Sequence, residues 1–96
     1  MDLTAATLRP LLVDILFRMG ELTEAQGADL NASLDKDIDL ARLNFNSLTM
    51  LDFCLQVETN TDIVFEPDEL VTLETLSAVE ATILAKRPEG KSNRVA

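Results

Sequence analysis

Histidine, tryptophan and tyrosine are missing from this 96-residue chain, and cysteine occurs once. Without histidine no side chain has an ordinary pKa near neutrality to act as a general base. The Ser–His–Asp and Cys–His pairings of nucleophilic catalysis therefore cannot be assembled, and we expect no catalytic residue and no enzyme. A lone cysteine cannot form an intrachain disulfide. Cys54, set between Phe53 and Leu55 with nothing basic nearby, reads as a small buried hydrophobe. Positive charge is scarce as well: before Lys86, sixteen carboxylates face only Arg9, Arg18, Lys36 and Arg42, a net −12 against −9 for the whole chain. Such a body repels nucleic acid and anionic membrane and attracts basic protein surfaces. No apolar run approaches the roughly 20 residues that cross a bilayer. The N-terminus carries Asp2 where a signal peptide carries a base. We expect a cytoplasmic protein that does not insert into membrane.

What is present suits one small helical domain. Hydrophobic residues make up 47% of the chain, enough for a single core, although a chain this short buries only about 60–65% of its unfolded surface. Deep substrate pockets are not expected. Leu8, Leu11, Leu12, Ile15, Leu16 and Met19 fall at helical three-four spacing, predicting a helix over 4–19 that Gly20 stops and Pro10 kinks. Residues 21–46 lose that period and gather Gly, Asn, Asp and Ser. They read as a long packed connection, pinned by Leu30, Leu34, Ile38, Leu40 and Leu43, with at most one helical turn near 39–42. A second helix is predicted from Ser47 to about Asn60. Ile63 and Phe65 then dip into the core before Pro67 opens a one-turn helix. Thr75 is the expected N-cap of a last helix reaching Lys86, with Leu76, Val79 and Ile83 inward. The expected fold class is all-α: a small four-helix bundle, three longer helices plus one short one, with a long loop between the first and second. Residues 1–86 form the domain, and 87–96, "RPEGKSNRVA", have the composition of a flexible tail.

Two features compete for a functional reading. Asp35, Asp37 and Asp39 in "DKDID" match the first ligand positions of a calcium loop. The loop then fails, with Leu40 where glycine is needed and Asn46 where a bidentate glutamate is needed, so no metal site is assigned. The other feature is "LNFNSLTMLDF". At about 100° per residue, Met50, Phe53, Cys54 and Val57 form one apolar face of the second helix, while Leu48, Leu51 and Leu55 lie nearly opposite. That second strip is flanked by Asp52 and Glu58 and begins beside Ser47. A serine at a helix start ordinarily caps it, but the same position favours an attached phosphate. A greasy strip beside it is costly unless something docks there. The long connection could cover part of the strip, Leu55 first.

With "DIDLARL" before it and "IVFEPDEL" and "LETLSAV" after it, this stretch resembles the acyl and peptidyl carrier proteins over about residues 4–86. The resemblance implies that Ser47 is the attachment point of 4′-phosphopantetheine, added from coenzyme A by a phosphopantetheinyl transferase. The arm's thiol would hold an acyl or aminoacyl group as a thioester. It also implies that Asn46, Leu48, Leu51, Asp52 and Glu58 meet partners: the transferase, a loading enzyme, and acyl-processing enzymes with basic docking surfaces. Asn46 stands where the family more often has aspartate, Asn44 where glycine is commoner, and Thr61 where an aromatic often fills the core, with Phe53 or Phe65 to compensate. The chain is thus read as a monomeric, free-standing carrier for a specialised polyketide, nonribosomal peptide or modified fatty-acid pathway. The rival readings are an acidic helical interaction module without a prosthetic group and a small calcium-binding protein.

Overall fold

Thr4 opens the first helix by accepting the Thr7 N–H at 3.3 Å, while its own N–H donates to Thr7 Oγ1 at 2.9 Å, so two otherwise unpaired donors are satisfied reciprocally. In the computed structural model, which describes residues 3–86, helix α1 runs Ala5–Arg18 with Pro10 inside it. The one N–H that Pro10 lacks would have reached the carbonyl of Ala6, and both residues are exposed, so water can take the orphaned acceptor. The helix ends in a Schellman closure: Gly20 N–H donates to Phe17 O at 3.0 Å and Glu21 N–H to Leu16 O at 2.9 Å. Gly20 sits at φ 82°, the left-handed position that closure requires.

The expected all-helical bundle is present, and among the described residues no strand forms. The connection over 21–46 differs from expectation, because it contains a nine-residue helix, α2 (Glu24–Ala32). Its start is a Thr23/Gln26 capping box, with Gln26 N–H donating to Thr23 Oγ1 at 3.1 Å and Thr23 N–H to Gln26 Oε1 at 2.8 Å. Only Gly27 and Leu30 of α2 are buried. Gly27 lets α2 press onto α1, since a Cβ there would lie 3.2 Å from Val13 Cγ1. The expected turn near 39–42 is a 3₁₀ turn, Leu40–Arg42.

Helix α3 (Ser47–Thr61) ends at Asp62 in the left-handed region. A one-turn helix, α4 (Pro67–Leu70), and α5 (Leu76–Lys86) complete the bundle. Thr75 caps α5 by accepting the Ala78 N–H at 3.1 Å. The 38–40 segment is stitched to the head of α5 by Leu40 N–H to Glu74 O (2.8 Å) and Leu76 N–H to Ile38 O (3.0 Å). Helix α1 packs against α2, α3 and α5, and α4 packs against α3. The shared core includes Leu8, Leu12, Ile15 and Leu16 from α1, Phe53 and Val57 from α3, and Leu76, Val79 and Ile83 from α5, with Ile63 and Phe65 dipping into it. Phe53 stands edge-on to Phe65, with ring centroids 6.4 Å apart. Thr61 serves the backbone instead, donating to Val57 O and accepting the Ile63 N–H.

One charged pair lies inside. Arg9 and Glu80 are 1% and 6% exposed. The guanidinium grips the carboxylate through Nε and, at 3.1 Å, through Nη2. Its Nη1 donates to the carbonyls of Leu30 (3.0 Å), Ser33 (3.4 Å) and Lys36 (2.8 Å). Arg9 thus ties α1 to α5 and closes the C-terminal end of α2, where Leu30 and the residues that follow leave carbonyls without helical partners. No buried polar side-chain atom among the described residues lacks a hydrogen-bond partner. The tail expected over 87–96 lies outside the described residues.

Candidate functional site

The residues leading into α3 are held one after another. Leu43 is buried and its N–H donates to Leu40 O at 3.0 Å. The Asn44 N–H donates to Glu21 Oε1 at 2.8 Å. The Phe45 ring leans on Phe53 with centroids 5.7 Å apart. Asn46 then begins the helix: its Oδ1 accepts the N–H groups of Leu48 (2.9 Å) and Thr49 (3.0 Å), and its own N–H donates to Thr49 Oγ1 at 2.7 Å.

This corrects the ordinary role considered for Ser47. The cap is Asn46, and Ser47 is the first residue of the helix. Ser47 is exposed, and among the described residues its hydroxyl takes part in none of the capping bonds. At the first helical position it stands at the positive end of the α3 dipole, where a phosphate is favoured. A hydroxyl free of structural duty, open to solvent and placed where negative charge is welcome can accept a phosphodiester without disturbing the fold.

The second apolar strip is real. Leu48 is 75% exposed, Leu55 52% and Leu51 46%, so the preceding segment leaves Leu55 open and Leu51 is the most covered of the three. Asp52 and Glu58 are exposed on the same helix. Phe53, Cys54 and Val57 point inward as expected, and Met50 is half-buried. Burial, with the charges of Glu66 and Glu69 adding to it, pushes the Cys54 thiol up to about 11. It is a packing residue with almost no thiolate at neutral pH.

Beside the head of α3 lies an open cleft of about 520 Å³, lined by Leu40, Leu43, Phe45, Met50, Leu70 and Leu73 among others. No pocket of this size was expected. Its walls come from the 3₁₀ turn and the residues that follow it, from Met50 of α3, and from the end of α4 with the residues after it.

The aspartates of "DKDID" have different work. Asp37 Oδ1 accepts the N–H groups of Ile38 (2.9 Å) and Ser77 (3.0 Å), anchoring the loop to the first turn of α5. Partial burial raises its pKa, but those N–H groups and the hydroxyls of Ser77 and Thr75 outweigh it and hold the carboxyl below its ordinary value. Among the described residues no group of three or more Asp, Glu, Cys or His side chains could hold a metal ion. Sequence reasoning missed Glu21 and Arg9. Glu21 gave no signal beyond lying after Gly20, and Arg9 was counted with the surface charges.

The exposed Ser47 hydroxyl thus stands outside the capping bonds, at the first position of α3 and beside the apolar strip of Leu48, Leu51 and Leu55. Residues 20–83 match the family described as the phosphopantetheine attachment site, and the chain belongs to that family. It is a phosphopantetheine carrier protein, its prosthetic group being 4′-phosphopantetheine. No curated protein and no solved structure matches the chain. No helix among the described residues is long and apolar enough to cross a membrane.

Proposed function

We propose that Ser47 is the residue that carries the arm, and that the protein holds an acyl or aminoacyl group as a thioester and presents it to the enzymes of a biosynthetic pathway. The observation that supports this most is the division of labour at α3, with Asn46 capping and the Ser47 hydroxyl left exposed. A phosphopantetheinyl transferase would join Ser47 Oγ to the phosphoryl end of phosphopantetheine, the serine proton and the nucleotide half of coenzyme A leaving. When bound, the arm supplies the thiol on which cargo is held. The chain itself does no chemistry, in keeping with its lack of histidine and its protonated Cys54.

Partners are met on the open face of α3. Leu48 and Leu51 are the apolar anchors, Asp52 and Glu58 attract basic docking surfaces, and Asn46 borders the transferase contact. The apolar lining of the neighbouring cleft suits a cargo with a hydrocarbon portion. The departures at Asn44 and Asn46 from the usual carrier motif favour a specialised polyketide, nonribosomal peptide or modified fatty-acid pathway in the cytoplasm, served by a monomer.

Intact mass tests the central point. Incubated with coenzyme A and a promiscuous transferase, the wild-type chain should gain the mass of one phosphopantetheine, and Ser47→Ala should gain none. Uptake by the alanine variant would refute the assignment.

A further inference from the structure

We propose that Glu21 is a positioning residue for loading, resting on the reading of Ser47 as the attachment point. Glu21 lies outside α3 and 26 positions before the serine, yet its carboxylate is the acceptor for the backbone N–H of Asn44, at 2.8 Å. Of the residues that lead into α3, Leu43, Phe45 and Asn46 are held by core burial, ring contact and a cap. Asn44 is held from outside that segment by Glu21. Cutting this tie frees the backbone three residues before the hydroxyl that the transferase must reach.

The carboxylate can do this because its own backbone is fixed on both sides. The left-handed Gly20 lets the Glu21 N–H close the Schellman motif onto Leu16 O. Leu22 next to it is buried, and Thr23 is already the cap of α2. Glu21 therefore presents, from an anchored backbone, a carboxylate acceptor for a backbone N–H. The entry to α3 is pinned to the junction of α1 and α2, so the place of Ser47 depends on a turn far from it in sequence.

The test compares wild type, Glu21→Ala and Glu21→Gln with coenzyme A and a transferase, varying carrier concentration, alongside amide hydrogen exchange at Asn44 and urea melts. Losing one exposed charged hydrogen bond should release Asn44 and lower loading kcat/KM by roughly fivefold in Glu21→Ala. The loss should fall on KM, because fewer molecules present the competent arrangement while the loaded chemistry is unchanged. Glu21→Gln, which keeps a weaker, neutral acceptor oxygen, should recover a measurable part of both exchange protection and rate. A glutamine variant as slow as the alanine one would make Glu21 a charge that attracts the transferase, and would overturn positioning. Wild-type uptake with unaltered Glu21→Ala kinetics would also overturn it while leaving Ser47 in place. A wild-type chain that gains no cofactor mass would remove both readings.

Discussion

Truncating Glu80 to alanine should remove a large share of the protein's stability. The carboxylate is 6% exposed and, among the described residues, is the anion paired with a guanidinium that is 1% exposed and donates to four other oxygens, the carbonyls of Leu30, Ser33 and Lys36 and the Ser77 hydroxyl. Removing one member of a buried, hydrogen-bonded ion pair leaves the other charge without compensation, at a cost of about 3–5 kcal/mol. A domain of this size has only about 5–10 kcal/mol of total stability. Since each kcal/mol moves the midpoint of such a domain by about 4–8 °C, Glu80→Ala should melt at least ~12 °C below wild type. Arg9→Met should also destabilise, because the carbonyls of Leu30, Ser33 and Lys36 lose their shared donor. In the double variant Arg9→Met/Glu80→Ala no bare charge remains, so its loss should be clearly smaller than the sum of the single losses. Circular dichroism melts and urea titrations of the four proteins measure this. A Glu80→Ala midpoint within about 4 °C of wild type would refute the reasoning, as would strict additivity.

Two further outcomes follow from the surface. Leu48→Ala, at a side chain already three-quarters in water, should change stability by less than about 0.5 kcal/mol while slowing transferase loading about tenfold if the strip is the dock; unchanged loading kinetics would exclude Leu48 as an anchor. For Asp37 the folded pKa lies below its ordinary value of 3.8, so the ionised form is the stabilising one. Its contribution is full above that value and is lost as pH falls through the lower folded pKa. Wild type should be more stable than Asp37→Asn at neutral pH and lose that advantage progressively as pH falls below the ordinary aspartate value; an advantage undiminished in acid would contradict the assignment.

How much was legible depends on where the information sits. Helices α3 and α5 were readable because each carries a continuous inward stripe, Phe53–Cys54–Val57 and Leu76–Val79–Ile83. Helix α2 was not, because it touches the core through Gly27 and Leu30 alone and so has no apolar period to find. Its Thr23/Gln26 capping box was visible in the sequence and is the better signal for such a helix. Ser47 was readable from its place before an apolar run, whereas its freedom was not. Asn46 and Ser47 are both good caps by type, and only the folded structure shows that Asn46 turns its oxygen onto the helix. The outward leucines were legible from angle alone. The order of their exposure was not, because it depends on the path of neighbouring segments. Arg9 was the largest surprise, since a charge in sequence carries no mark of the partner that lets it go inside.

That the neighbour of Ser47 does the capping has one more implication. A carrier cycles many times between bare, armed and cargo-bearing forms, and a scaffold whose own cohesion relied on the modified oxygen would soften and stiffen at every turn. On the proposed attachment at Ser47, the oxygen that is modified is not the one that caps α3, so arming the serine should cost the helix none of the capping bonds that Asn46 makes.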